Sequence, residues 1–351
     1  MIGRYILTFI LSLVITYMLI PFIKKIAPSI GAVDHPDSRR INKEPVPNIG
    51  GIAIYLGFTI SLITTVPGQL LKGILLGGTF ILLLGFIDDL YEISPLWKLA
   101  GQITAASILI ISGIQIEFIT NPFGGMIYLG YWGIPLTILW IVSITNTVNL
   151  IDGLDGLAAG VSVIAVITLF FVSIQEGQGS TAVLALALAG SSLAFLKYNF
   201  HPAQIFMGDS GSMFLGYTLA SISVAGALKS AAAVTLIVPV LALGVPIFDT
   251  IFAIIRRLYN SKPIGEADKG HIHHRLLALG WSQSEAVLIV YGISIFLGLM
   301  ALFINGTTLT NGIVILALIM LGLVYGAWKL GIFDVELSSE GRTAEESQGL
   351  S

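Results

Sequence analysis

The polar residues of this chain that could do chemistry are few, and they recur at helical intervals inside apolar surroundings. The densest set is Asn146-Thr-Val-Asn149-Leu-Ile-Asp152-Gly-Leu-Asp155-Gly-Leu157. Asp152 and Asp155 are three apart and Asn146 and Asn149 repeat that interval one turn earlier, so on a helix the four polar tips share one face. Ionisable groups at a bilayer edge are costly and persist where they bind something. The plainer alternative is that Asp152 or Asp155 caps the apolar run starting at Leu157, which serves for either alone but not for all four.

Other polar stations repeat the theme. Asp88 and Asp89 close an apolar run in a loop that continues to Lys98; adjacent carboxylates repel, so keeping both suggests a cation or a basic partner, with ordinary interfacial charge at a helix end as the alternative. In Phe206-Met-Gly-Asp209-Ser-Gly211 the glycines permit close approach to Asp209, which is either a ligand or the cap of the next helix. Phe206 offers a face on which a base can stack, with interfacial anchoring as the alternative. His271, His273, His274 and Arg275 fall within a long polar loop. Their spacing does not match a two-histidine zinc helix, and phosphate contacts by imidazole and guanidinium are favoured. Lys43 precedes Pro45, Pro47 and Gly50-Gly51, where the opening of a helix can receive an anion. Asp249 lies deeper in an apolar run and is expected to pair with another helix rather than join the site.

The elements that must position these groups are transmembrane helices. With 351 residues, 55% hydrophobic and 11% charged, and a mean hydropathy of +0.92, the chain has too little charge to cover a soluble globule. It is expected to be an all-α polytopic integral membrane protein. Apolar stretches at about 4–24, 49–67, 70–87, 98–116, 130–148, 157–175, 181–198, 211–228, 231–256, 285–304 and 310–331 predict about eleven transmembrane helices. The first has no small-residue cleavage site behind it and reads as a retained helix. Fourteen of the seventeen Lys and Arg residues fall after odd-numbered spans. Positive charge is retained in the cytosol, so the amino terminus is expected outside and the polar stations on the cytoplasmic face. Residues 1–332 form one transmembrane domain in this reading, and 333–351 a polar, disordered cytoplasmic tail.

With no cysteine in the chain, a bound metal must use oxygen or imidazole. Carboxylate and amide oxygens suit Mg²⁺, or Mn²⁺ in its place, and Mg²⁺ commonly bridges a carboxylate to a substrate phosphate. Carboxylates, a hard cation, an aromatic platform and basic side chains on one face are equipment for phosphoryl transfer. There is no Walker loop, so a nucleotide would serve as a leaving-group carrier rather than an energy source. Nothing points to nucleic acid.

Taken in order, Pro47-Asn-Ile-Gly-Gly51, Asp88-Asp89, Asn146 through Leu157, Phe206 through Gly211 and His271-Ile-His-His-Arg275 resemble the polyprenyl-phosphate N-acetylhexosamine-1-phosphate transferase family over residues 1 to about 330. The resemblance implies transfer of a sugar 1-phosphate from a UDP-sugar to a membrane polyprenyl phosphate, with release of UMP and dependence on Mg²⁺. It implies that Asp209 and Asn149 bind the metal and that Asp88 and Asp89 are the catalytic pair. Phe206 would stack on uracil, Asp155 would contact the uracil edge, and Lys98 and Lys43 would bind the phosphate and nucleotide. Beside these, Asn146 and Asp152 by their spacing, and His271, His273, His274 and Arg275 by their side-chain chemistry, are expected to complete the substrate site. The histidine run is broken by Ile272 and followed by Arg275, which resembles the GlcNAc-1-phosphate branch that uses UDP-GlcNAc and undecaprenyl phosphate. That branch implies a multi-pass protein of a bacterial cytoplasmic membrane, starting a cell-envelope polysaccharide of teichoic acid or O-antigen type. A homodimer is compatible with the sequence. The alternatives are a related transferase using another UDP-sugar such as UDP-MurNAc-pentapeptide, and a membrane transporter with carboxylate ion sites.

Overall fold

The computed structural model describes residues 1–34, 44–65, 70–121, 125–227, 237–259 and 270–329. Its helices in chain order are α1 (Ile2–Ile26), α2 (Gly51–Thr65), α3 (Leu70–Tyr91), α4 (Pro95–Ile111), α5 (Gly133–Leu150), α6 (Leu157–Gln175), α7 (Gly179–Asn199), α8 (Gly208–Ala227), α9 (Ile237–Ala242), α10 (Gly244–Tyr259), α11 (Ile272–Ala278), α12 (Gln283–Asn305) and α13 (Leu309–Lys329). Two antiparallel strand pairs interrupt them: β1 (Val33–Asp34) with β2 (Val46–Pro47), and β3 (Phe118–Thr120) with β4 (Met126–Tyr128). Lys43 and the tail 333–351 lie outside the described residues.

Among the described residues seven helical segments are long and apolar enough to cross a membrane: Ile2–Ile30, Leu71–Tyr91, Gly130–Leu150, Leu157–Gln175, Gly179–Asn199, Gln283–Asn305 and Leu309–Lys329. The helices Gly51–Thr65 and Pro95–Ile111 are apolar but shorter. The outer surface carries exposed Met18, Phe22, Leu83, Ile111, Phe303 and Leu321, as hydrocarbon contact requires, and the chain is a multi-pass membrane protein. The stretch expected as a single span over 231–256 is instead broken in its described part, α9 ending at Ala242 and α10 starting at Gly244. Pro246 lacks the N–H that would bond back to Ala242, and Gly244 relaxes the backbone beside it.

The middle of the bundle is α8. Every residue from Ser210 to Ala225 is buried, and α8 packs against α2, α3, α5, α6 and α7. Its sequence, GDSGSMFLGYTLASISVAGA, is diluted with glycine, serine and alanine. Small residues let helices approach closely where lipid supplies no hydrophobic drive for their association. A Cβ on Gly51 of α2 would stand 2.2 Å from the Gly211 Cα, and one on Gly85 of α3 would stand 2.5 Å from the Ser210 Cα. Lower down, a Cβ on Gly216 would meet the Thr145 Cα of α5 at 2.6 Å. Three helices thus touch α8 backbone to backbone, two of them in its first turn. Gly85→Val is expected to force α3 off α8 at an overpacking cost of about 1–3 kcal/mol. Thermal unfolding of the detergent-solubilised protein reads that cost, and an unchanged transition would refute the close crossing.

Candidate active site

Between the carboxyl end of α3 and the amino end of α8 a carboxylate takes the place of a conventional cap. The Asp209 and Ser210 N–H groups, the second and third of α8, donate to the two oxygens of Asp89 at 2.7 and 3.1 Å. Unpaired amides at a helix start carry partial positive charge, so an aspartate is favoured there. Gly208 makes room for it: its φ is +71°, and a Cβ would lie 2.5 Å from one Asp89 oxygen. This cap fixes the backbone from which the Asp209 side chain leaves. The backbone before it is held as well. The Phe206 N–H donates to the Pro47 carbonyl at 2.8 Å, and the Gly50 and Gly51 N–H groups donate back to the Phe206 and Met207 carbonyls at 2.9 and 3.0 Å. Pro47 through Gly51 and Phe206 through Gly211, far apart in sequence, are therefore one knit structure.

The Asp209 carboxylate is gripped from two sides. The Lys98 ammonium, from the first turn of α4, donates to its Oδ2 at 2.8 Å, and the Asn149 amide, from the last turn of α5, donates to its Oδ1 at 2.9 Å. Asn149 also donates to the Ser212 hydroxyl at 2.8 Å. Lys98 forms a second ion pair with Asp88. Asp88 is buried, and its Oδ1 accepts the Ile93 N–H at 2.9 Å where the chain turns out of α3. One lysine thus bridges two carboxylates at the edge of the apolar bundle, which relieves the repulsion expected of the Asp88-Asp89 neighbourhood.

The Asn146–Leu157 stripe divides by role. Asn146 turns to Gln102 of α4 (Nδ2 to Oε1, 2.7 Å). Asp155 ties its turn to the following loop by accepting the Ala203 N–H at 3.0 Å and facing the His201 Nδ1 at 2.8 Å. Asn199 adds a third tie, accepting the Gly156 N–H and donating to the Ile205 carbonyl, both at 3.0 Å. Asp152 lies outside the helices, on the turn between α5 and α6. Burial, and then the Asp209, Asp89 and Asp155 charges, push its carboxyl up to about 8.

These groups surround a polar cleft of about 370 Å³, lined by Asn149, Asp152, Asp155, Phe206 and Asp209 together with Asp34, Asn48, Asn199, His274 and Gln283. Phe206 is half-buried, so it presents a face to the cleft while its backbone is pinned. Of the histidine run, His274 lines the cleft. His271 and His273 are buried behind it. The His271 Nδ1 faces Asp249 at 2.8 Å, and Asp249 also accepts the Ile272 N–H at 2.8 Å, starting α11. The expectation that Asp249 pairs with another element outside the cleft holds. His273 packs against Gly153, where a Cβ would lie 2.7 Å from its Nε2. Burial, then the neighbouring His274, hold its pKa down to about 3, so the ring stays neutral. Arg275 is half-buried on α11. Asp34, Asn48, Asn199 and Gln283 are lining residues that spacing did not single out. Asn48 sits inside the Pro47–Gly51 motif and was discoverable there, whereas Gln283 begins an ordinary apolar helix and carries no local signal.

The donors suit a hard cation: Asp209 and Asp152 carboxylates and the Asn149 amide oxygen lie around one cleft. Among the described residues no group of three or more His, Cys, Asp or Glu forms a closed metal cage. Mg²⁺ does not need one, since it is usually held by one or two carboxylates with waters and substrate phosphates filling the remaining positions. A larger cavity of about 780 Å³ between α10, α12 and α13 is lined by Phe248, Phe252, Phe296 and Leu318 among others. Its lining is almost wholly apolar, so it offers no comparable convergence of polar groups.

Similarity to known proteins agrees with this geometry. The family described as glycosyl transferase family 4 matches residues 71–227, which span α3 through α8. A probable undecaprenyl-phosphate N-acetylglucosaminyl 1-phosphate transferase of Bacillus subtilis (strain 168) is 40% identical over 321 residues, covering 91% of this chain and 90% of that protein. A decaprenyl-phosphate N-acetylglucosaminephosphotransferase of Mycolicibacterium smegmatis is 35% identical over 348 residues, covering 89% and 86%. A phospho-N-acetylmuramoyl-pentapeptide-transferase of Moorella thermoacetica is 31% identical over 294 residues, covering 77% and 87%. The chain belongs to glycosyl transferase family 4, within the polyprenyl-phosphate N-acetylhexosamine-1-phosphate transferases.

Two outcomes follow from the geometry. Asp89→Asn keeps one acceptor and turns an amide N–H₂ toward the other backbone donor, so it should cost about 1–2 kcal/mol. Amide exchange at Asp209 and Ser210 should quicken; exchange as slow as in the parent chain would deny Asp89 the capping role. For Asp152 the sign follows from a folded value of about 8 against an unfolded carboxyl near ~3.9. The folded state keeps the proton that the unfolded chain releases, so stability is lost as pH rises between those values. Asp152→Asn should therefore raise the thermal midpoint at pH ~8 in EDTA, with the gain shrinking toward pH ~4. A gain that grew on acidification would contradict this.

Proposed function

We propose that the chain transfers N-acetylglucosamine 1-phosphate from UDP-GlcNAc to undecaprenyl phosphate, giving undecaprenyl-diphosphate-GlcNAc and UMP. The observation that carries the reading is the joint grip of Lys98 and Asn149 on Asp209 beside Asp88, at the rim of a cleft that also holds Phe206 and Asp155. The names of the Bacillus subtilis and Mycolicibacterium smegmatis proteins support N-acetylglucosamine as the sugar.

In this mechanism an oxygen of the lipid phosphate attacks the sugar-linked phosphorus of UDP-GlcNAc in line. The bond from that phosphorus to the bridging oxygen breaks, and the electron pair leaves with UMP. Phe206 holds the uracil face and Asp155 its edge. His274 and Arg275, with Lys43 outside the described residues, neutralise phosphate charge. Lys98 is placed to follow the developing charge, because its ammonium already sits between two carboxylates. Asp88 accepts a proton from the lipid phosphate where one remains; the second ionisation of a phosphate monoester lies near pKa ~6, so at neutral pH most of the acceptor is already dianionic. Asp209 and Asn149 would hold Mg²⁺, which supplies charge neutralisation at the pyrophosphate when bound.

The reading carries a topology: about eleven spans in a bacterial cytoplasmic membrane, with the amino terminus outside and the cleft facing the cytosol. It is supported by the placement of the polar groups at the close of α3, α5 and α7 and the opening of α4, α8 and α12, all at one end of an alternating bundle. A transporter would instead spread ionisable groups toward the middle of the spans. A first step in building a cell-envelope polysaccharide fits the lipid-linked product.

The test is UMP release by the purified protein supplied with undecaprenyl phosphate, Mg²⁺ and UDP-GlcNAc. Parallel reactions contain UDP-GalNAc or UDP-MurNAc-pentapeptide. UDP-GlcNAc should be turned over fastest, and silence with every UDP-sugar would sink the proposal. Asp88→Asn should lower turnover by about 10²-fold or more while UDP-GlcNAc binding is nearly kept. Turnover equal to that of the parent chain would remove Asp88 from the chemistry.

A further inference from the structure

Gln102 of α4 is 1% exposed, a carboxamide set among apolar side chains inside the bundle. It meets Asn146 of α5 in a reciprocal exchange. The Gln102 Nε2 donates to the Asn146 Oδ1 at 3.1 Å, and the Asn146 Nδ2 donates to the Gln102 Oε1 at 2.7 Å. The second N–H of each amide is engaged too: Asn146 donates to the Val142 carbonyl at 2.8 Å, and Gln102 donates to the Met213 sulfur of α8 at 3.6 Å. All four amide hydrogens are therefore spent within the protein. Neither residue is among those lining the polar cleft.

The pair sits one helical turn from the Asp209 grip on both of its helices. Lys98 is four residues before Gln102 on α4, and Asn149 is three residues after Asn146 on α5, so each shares a face with its partner in the pair. Lys98 holds one oxygen of Asp209 and Asn149 holds the other. Rotating either helix by one residue, about 100°, would break the amide exchange and carry Lys98 or Asn149 away from Asp209. A carboxamide left without partners in an apolar interior is strongly disfavoured. The exchange therefore selects one register of α4 against α5.

We propose that Gln102 and Asn146 are a positioning pair, an amide clasp that sets Lys98 and Asn149 on the two oxygens of Asp209 and makes no contact with substrate. This rests on the transferase reading for its kinetic consequence, but the clasp itself is a property of the protein without substrates. It assigns Gln102 a role in the site, and it moves Asn146 from binding the substrate to aligning the groups that do.

The experiment uses the full chain in nanodiscs with Gln102→Met, Asn146→Leu, the double variant, and the exchange Gln102→Asn with Asn146→Gln, which keeps two facing amides. UMP release and backbone amide exchange are measured on the same samples, the latter without metal or substrate. Each single variant should lower kcat ~10–100-fold with little change in the KM for UDP-GlcNAc. The double variant should be no worse than the poorer single, and the exchanged pair should recover much of the loss. Losses that multiply in the double variant, or a KM rise confined to Asn146→Leu, would overturn the clasp and leave the transferase reading standing. If the parent chain released no UMP, that reading would fall while amide exchange still decided the clasp. Faster exchange across 149–152 and 209–213 in both single variants, reversed in the exchanged pair, supports it; exchange unchanged from the parent chain refutes it.

Discussion

The first turn of α8 is the constraint on which the rest of the structure depends. Two helices, α2 and α3, approach it at glycines where no side chain intervenes. Its amides are capped from outside by Asp89, and its Asp209 side chain is clamped between α4 and α5. Close backbone approach and charge neutralisation reinforce each other there. The glycine crossings bring the carboxylates near enough to share one lysine, and the shared lysine removes the repulsion that would otherwise drive those helices apart. Substituting either component alone leaves the other strained.

Charge at a membrane edge is managed here by pairing rather than by solvation. Asp88 and Asp209 share Lys98, Asp249 faces His271, and Asp155 faces His201. In each case a carboxylate from one polar segment meets a basic group from another, and backbone N–H groups complete the set at Asp88, Asp155 and Asp249. Asp89 is met by backbone N–H groups alone, and at Asp152 burial and the surrounding carboxylates all raise the pKa.

The cleft's two walls differ in how they are built. The wall carrying Phe206 and Asp155 is knit by backbone hydrogen bonds between Pro47–Gly51 and Phe206–Met207 and by the side chains of Asn199 and Asp155. The opposite wall, with His274 and Gln283, hangs on α11 and the start of α12, held from behind by Asp249 and by Arg256, which donates to the Gly270 carbonyl at 3.0 Å.

Much of this was legible along the chain because membranes impose local rules. Apolar run length marks the helices, and polar residues stand out against hydrocarbon, so Asp88, Asp89, Asn149, Asp152, Asp155, Phe206, Asp209 and His274 could be singled out from spacing and surroundings alone. What the sequence could not determine is which of those polar groups meet each other. Asn146 and Asn149 are equivalent by helical period, yet one turns to Gln102 and the other to Asp209, because the crossing of α4 and α5 places a different neighbour at each level. Asp88 and Asp89 are adjacent, yet one pairs with Lys98 and the other caps α8, because successive residues on a helix point about 100° apart. Residue type and period are written locally. The direction in which a side chain finds its partner depends on helix crossings set by contacts 44 to 120 residues apart, and those exist only in the packed bundle.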